Sequence, residues 1–402
     1  MGISASPADA RLLVLGAGPA QLGLLRAARE RGVFVIACDR DPDAMGFEFA
    51  DRRAIVSAEN EAAVGMLARA ERVDGLIAPG IDWPVAIAAR VAVRLGLPHP
   101  ITPDAAVRSV SKQRQRECLG EHGVPQPEWR VTRGETAGAP LPCVVKPADR
   151  QGQRGLTLVR ERDELGEAVA LAVSESRSGI ALVEELVEGP EVTVNAFSLD
   201  GQFYPLTVTD RLVAEPPAFG VAVAHACPSD ENVDRAVEVV RSAIEALGIA
   251  GGPTYTQVRL APDGPRVMEV AARLGGGHDA ELCQVALGVD LNGLAISAAL
   301  GEEVEVAPNP VAATGGACVR FLVPPEGTLE SVEGLGEATQ IEGVVEARVY
   351  RRPGFRFGPF RRGSDRAGFV LAAGDSKEDA LARAGRAAAL IRFEMTDARA
   401  VV

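Results

Sequence analysis

The chain of 402 residues is most informative first for what it lacks. It has no CxxC pair: the six cysteines, Cys38, Cys118, Cys143, Cys227, Cys283 and Cys318, are scattered, which excludes a zinc ribbon and argues against a disulfide framework. No apolar run approaches the ~20 residues that span a bilayer, so the sequence predicts a soluble chain. The opening MGISASPADARLLVLG has neither the basic start nor the continuous apolar stretch of a secretory signal. A reducing cytoplasm is the expected compartment. Low-complexity segments and internal repeats are also missing, although Gly (43) and Pro (27) are numerous. Excess positive charge is absent too: the net charge of -13 repels phosphodiester backbones and anionic lipid, and predicts neither nucleic-acid nor membrane partners. A local cluster of cations can still hold a nucleotide in an acidic protein.

What is present reads as two textures. Over the first hundred residues, short apolar runs (12–15, 33–37, 75–78) alternate with helix-like stretches (21–31, 61–72, 84–95), the wiring of a doubly wound parallel sheet. A charged helical pattern at 112–122 is broken by GVPQP, and closely spaced strands follow at 143–146, 156–159, 180–185, 191–199 and 203–208, with helices at 164–173 and 234–247. Strands at 255–260, 266–271, 344–350 and 368–373 and an alanine-rich helix at 377–391 complete an α+β pattern. The expected division is an N-terminal α/β domain over 1–110, a central domain over 111–310 with a lid at about 126–190, and a C-terminal α+β part over 311–402.

Four segments carry candidate chemistry. GAGPAQLG (16–23) follows a strand and opens a helix, and Asp39 ends the next strand; this pattern suits a dinucleotide, but also occurs as plain loop–helix packing. PCVVKPADRQGQRG places Lys146 at a strand end before a loop containing Gly152, where an ammonium and loop N–H groups can meet phosphate oxygens. ALVEELVEGPEVTV carries Glu184, Glu185, Leu186 and Val187 before a Gly189-Pro190 turn and Glu191; such a strand and turn can offer backbone groups to an adenine edge and a carboxylate to ribose. In TYTQVRLAPDGPRVMEVAARLGGG, Gln257 and Glu269 face each other across a PDG hairpin and can share one cation through oxygen ligands. Arg273 then precedes a flexible loop with Gly275 and Gly276. His99 reads as a loop histidine, and the arginine-rich YRRPGFRFGPFRRGSDR as surface or lid contacts.

In this order the segments resemble the ATP-grasp superfamily, specifically its carboxylate–amine ligases. The resemblance implies an ATP-grasp fold with a preceding doubly wound α/β domain and a biotin carboxylase-like C-terminal segment, carried by RFLVPPEGTL and DRAGFVLAAGDSKEDAL. It implies ATP and Mg²⁺ as cofactors, Lys112 and Lys146 as the nucleotide lysines, EELVEGPE as the hinge, and Gln257 with Glu269 as the metal pair. Two departures stand out. The family's usual Asn two positions after the metal Glu is Ala271 here, and Gln151, Gln153 and Arg154 replace small residues in the glycine loop. EVAARLGGG is nonetheless similar to the corresponding segment of bacterial L-amino-acid ligases, which make dipeptides, and in these a His-x-x-Pro-like segment, here His225 to Pro228, lines the acceptor site. The expected reaction joins a small carboxylate to an amine through an acyl phosphate, releasing ADP and phosphate. Arg273 and Lys146 would be catalytic, His225, Arg273, Gly275 and Gly276 would bind substrate, and the protein would be a homodimer. An ATP-grasp carboxylase or purine-pathway ligase, a dinucleotide-dependent oxidoreductase built on GAGPAQLG, and a non-catalytic nucleotide-binding module remain alternatives.

Overall fold

A computed structural model describes residues 10–308 and 310–396. The opening nine residues, on which part of the signal-peptide reading rests, lie outside the described set. Four parallel strands form the first sheet in the order Arg52–Ile55, Phe34–Asp39, Arg11–Leu15, Gly75–Ile77. Central Arg11–Leu15 is buried from Leu12 onward, as an apolar run covered on both faces should be. The crossover helices are Leu22–Glu30, Glu61–Glu71 and Trp83–Leu95; the last has Pro84 in its first turn and ends on Gly96 at φ +67°.

A second, antiparallel sheet has the order Trp129–Thr132, Ala181–Glu185, Cys143–Pro147, Thr157–Val159, and helix Leu165–Glu175 packs on it through Leu165, Ala168, Val169 and Ala172. The largest sheet has eight strands, ordered Gly264–Ala271, Gly252–Ala261, Glu191–Leu199, Gln202–Val213, Ala222–Cys227, Gly316–Leu322, Gly368–Gly374, Val344–Val349. Strand by strand it links the hairpin of Gln257 and Glu269 to the C-terminal strands, with Ala224 opposite Arg320. Helix Lys377–Leu390 presses Ala380, Ala384 and Ala387 onto that sheet, small side chains allowing close approach. Two helices not foreseen from the pattern, Asp279–Leu287 and Leu291–Leu300, bend by 118° at their junction. They bury Ala295, Ile296 and Ala299 against the first sheet. Among the described residues no single helix is long and apolar enough to cross a membrane.

Candidate active site

The first cavity, of about 80 Å³, opens between the second sheet and the metal-pair hairpin. Lys146, at the end of Cys143–Pro147, is buried with its Nζ 2.8 Å from Glu184 Oε2. Glu184 also accepts hydrogen bonds from Arg116 Nε (2.9 Å) and Nη2 (3.2 Å), and Arg116 donates onward to the carbonyls of Val267 (3.1 Å) and Met268 (2.7 Å). A planar guanidinium suits this fork of acceptors where an ammonium would not. Burial alone would raise the Glu184 pKa; Arg116 and Lys146 override it and pull it down to about 2. Burial also lowers the Lys146 pKa, partly offset by Glu184. Lys112, one turn before Arg116 on helix Lys112–Glu121, places Nζ 2.8 Å from Glu269 Oε1 and donates to Arg150 O at 2.6 Å. The spacing of four between Lys112 and Arg116 puts both on one helix face, a signal of Arg116 that the sequence carried.

Lys112, Lys146, Gly152, Leu186, Val187 and Glu191 line this cavity beside Glu184. The carboxylates, however, are committed elsewhere. Glu184 serves Arg116 and Lys146, and Glu191 pairs with Arg211 (2.6 Å) and Arg259 (2.9 Å). Glu185 departs further: strand alternation turns it away from the cavity lining, where it pairs with Arg266 at 2.7 Å. The ladder with Cys143–Pro147 ends at Glu185, leaving the Val187 backbone beyond the last paired residue. In the glycine loop, Gly152 has φ +69° with open space around it, so conformation and not crowding favours glycine there. Gln151 explains its own departure from the family pattern: its Oε1 accepts from the Asp82 N–H and its Nε2 donates to Gly80 O at 3.4 Å, tying the loop to the N-terminal sheet.

Gln257 and Glu269 stand opposite each other in register and line both this cavity and a second, larger one of about 340 Å³. Burial pushes the Glu269 pKa up, but Lys112, Lys146 and Arg273 together hold it below the usual carboxylate range. Mg²⁺ fits this donor pair: both offer hard oxygen ligands, and the Lys112 ammonium already rests on Glu269 as a stand-in cation. Among the described residues no group of three or more His, Cys, Asp or Glu is placed to hold a metal. Phosphate oxygens and water would complete the shell, consistent with Mg²⁺ at phosphate sites. Ala271 is buried at 2% exposure opposite Tyr255 and contributes no ligand.

The second cavity is where Arg273 lies. Its Nε and Nη2 each approach Asp82 Oδ1 at 2.7 Å, Nη1 donates to Leu274 O at 3.0 Å, and the guanidinium sits 5.4 Å from the Tyr255 ring centroid. Burial, which would lower its pKa, is outweighed by Asp82, Tyr255 and Glu269, so it stays charged. Asp279, six positions after Arg273, accepts the Gly277 N–H at 3.1 Å and places Oδ1 3.7 Å from His225 Nδ1. His225 is 2% exposed on strand Ala222–Cys227, and burial drives its pKa down to about 4, so at neutral pH it presents an uncharged imidazole. Gly276 lines this cavity, where a Cβ would come within 2.9 Å of Gly80 O. Gly275 does not line it: a Cβ there would meet Asp279 Oδ2 at 2.1 Å, so Gly275 makes room for Asp279.

The GAGPAQLG loop is turned to the same cavity, through Gly18, Pro19, Ala20 and Gln21. Asp39 lines it too, its Oδ2 accepting the Ala17 N–H at 2.9 Å and its Oδ1 the Asp41 N–H at 3.0 Å. Sequence reasoning missed Asp82, Arg211 and Tyr255 on these walls; Tyr350, Arg351 and Arg366, which also line them, belong to the arginine-rich segment read as surface or lid contacts. Asp82 lies 191 positions from Arg273, too far for any local pattern to connect them.

Comparison with known proteins agrees with this arrangement. Residues 139–281 match the ATP-grasp domain, and residues 320–396 match the L-amino acid ligase C-terminal domain 2. The chain carries an ATP-grasp domain. Solved structures that share its fold include complexes with ADP and its magnesium salt and with ATP. An uncharacterised protein of Sinorhizobium fredii, y4rH, is 33% identical over 306 residues, covering 72% of this chain and 62% of that protein's length. The formate-dependent phosphoribosylglycinamide formyltransferase of Cronobacter sakazakii is 28% identical over 413 residues, 97% of this chain and 98% of its own. The ATP-grasp fold is shared with the solved L-amino acid ligase of Bacillus licheniformis, at a TM-score of 0.83 and 22% identity over 97% of this chain and 99% of that one.

Proposed function

We propose that this ATP-grasp ligase joins two small amino-acid-like substrates, phosphorylating the carboxylate of one and passing its acyl group to the amine of the other. One observation carries the reading: the lysine-lined cavity and the Arg273 cavity meet at Gln257 and Glu269, which line both. The match of residues 320–396 to the L-amino acid ligase domain supports amino acids as substrates. A carboxylate is inert to amines because its leaving group would be oxide, so phosphorylation must come first.

Lys112 and Lys146 neutralise phosphate oxygens of ATP; Glu184 and Arg116 hold Lys146 in place. Mg²⁺, held by Gln257 and Glu269, would add further charge neutralisation at the terminal phosphate. Arg273, fixed by Asp82, presents its planar fork to the reacting carboxylate and then to the phosphoryl group being transferred. Uncharged His225 shapes the acceptor side without repelling an amine. Catalysis on this account is positioning and electrostatics, with no covalent side-chain intermediate. We further propose a reducing cytoplasm, in keeping with six buried free thiols, four of them (Cys38, Cys227, Cys283 and Cys318) pushed up to about 12 by burial. The proposal extends to a homodimer; the biotin carboxylase domain of Hydrogenobacter thermophilus 2-oxoglutarate carboxylase, which shares the fold (TM-score 0.76, 17% identity), is described as a dimer.

The deciding experiment is a screen of amino-acid pairs for ATP-dependent phosphate release, with the spent nucleotide resolved by chromatography. ADP with orthophosphate is expected; stoichiometric AMP would remove the acyl-phosphate mechanism.

A further inference from the structure

A third cavity plays no part in the mechanism above. It measures about 600 Å³, within the ~300–1,000 Å³ typical of sites for drug-sized ligands. It lies on the outer side of the glycine loop, between the strand and helix Thr157–Val159 and Leu165–Glu175 and the C-terminal turn around 355–365. Leu156, Leu158, Leu171, Phe219, Phe355 and Pro359 give it an apolar wall. Leu171 and Phe355, at 45% and 38% exposure, are apolar side chains left open to solvent there.

Against that wall stand Arg154, Arg356 and Arg361. Among the described residues none of the three forms an ion pair, in a chain of net charge -13; Glu175, the cleft's other acid, acts on Arg154 only through space. Asp365, the acid of the turn, is already occupied: it accepts from Arg362 Nε at 3.1 Å and from the N–H groups of Arg361 and Arg362, both at 3.0 Å. The cleft borders the reaction cavity: Gln153, Arg154, Arg362 and Ser364 line both. Arg351, on the reaction-cavity side, stacks 4.3 Å over the Phe355 ring, and its buried Nε has no hydrogen-bond partner.

We propose that this cleft is a subsite for the distal part of one substrate, and that this substrate is an elongated apolar chain ending in a carboxylate, such as a short peptide with an acidic end. The inference rests on the ligase reading for the reacting end. Apolar walls bury the body of such a chain, and unpaired guanidinium groups take its terminal charge. Free amino acids occupy the reaction cavity alone and gain nothing from the cleft.

The test uses dansyl-Leu-Glu, an apolar probe with an anionic end, titrated by fluorescence into the full chain with saturating ATP and Mg²⁺. Dansyl-leucinamide is the uncharged control. The acidic probe should bind at least 10-fold more tightly than the control, and Arg361→Glu and Phe355→Ser should each weaken it at least 10-fold while the thermal shift with ATP is unchanged. Equal affinity for the two probes, unaltered binding in both variants, or displacement of the probe by ATP would each overturn the proposal. Phosphate release gives a separate readout. The same variants should raise the KM of an acidic peptide at least 10-fold and leave that of free amino acids unchanged; an equal rise for both overturns the subsite. No phosphate release by the wild-type protein with any pair, alongside the expected probe binding, overturns the ligase reading and leaves the binding site intact.

Discussion

Replacing Glu184 by Gln keeps the shape of the side chain and removes its charge, leaving two buried cations facing each other. Glu184 and Arg116 side chains are each 1% exposed and Lys146 is 8% exposed, so solvent cannot compensate. Removing one partner from a buried ion pair typically costs ~3–5 kcal/mol. The depression of the Glu184 pKa from 4.5 to about 2 gives a consistent figure of about 3 kcal/mol. Because the folded-state pKa is the lower one, this stabilisation is complete above about pH 4.5 and is lost as pH falls through about 2. Urea unfolding followed by circular dichroism should therefore show Glu184→Gln less stable by about 3 kcal/mol at pH 7, with the gap to wild type closing as the acid range is entered. ATP affinity should fall with it, since Lys146 loses the carboxylate that favours its charged form. A loss below about 1 kcal/mol at pH 7, with an unchanged denaturant slope, would refute the account of Glu184 as the anchor of the nucleotide lysine.

Arg273→Lys should lose turnover nearly as completely as Arg273→Ala, and Asp82→Asn should lose roughly 10- to 100-fold, all with near-normal ATP binding by calorimetry; full activity in Arg273→Lys would remove its role as a fork on the carboxylate. Glu269→Gln should cut turnover by at least ~100-fold in a folded protein and weaken its dependence on Mg²⁺ concentration; an unchanged Mg²⁺ titration would show the metal pair to be misplaced. For His225 the ordinary pKa of 6.5 falls to about 4, so the unfolded chain binds the extra proton. Its contribution is full above about pH 6.5, declines as pH drops from there and levels off below about 4, a slope that melting of His225→Gln across this range should lack.

Local chemistry was the legible part. Lys146 before a glycine loop and Gln257 opposite Glu269 are written within single hairpins or strand–loop units, and both assembled at the cleft. The parallel sheet and the alanine helix could be read from periodicity for the same reason. Distant charge partners were not legible. Glu185 looks as available as Glu184 until Arg266, 81 positions later, claims it. Nothing near Glu191 in the chain shows that Arg211 and Arg259 converge on it from two neighbouring strands. Gly275 and Gly276 are indistinguishable in sequence, yet one borders the cavity and the other shelters Asp279. In each case the outcome turns on charge pairing or on which side chain needs space, and neither has a period along the chain.

Asp82 does two things at once: its N–H holds Gln151 of the glycine loop, while its carboxylate holds Arg273. One residue of the N-terminal domain thus touches both the cover of the nucleotide cavity and the cation of the substrate cavity. Any shift of Asp82 that accompanies loop closure over ATP also re-aims Arg273, and a carboxylate that draws Arg273 away from Asp82 alters the grip on the loop. Linkage then makes the two binding events reciprocal: whatever factor ATP imposes on carboxylate affinity, the carboxylate imposes on ATP. A single backbone–side-chain junction thus ties the loop beside one cavity to the guanidinium in the other.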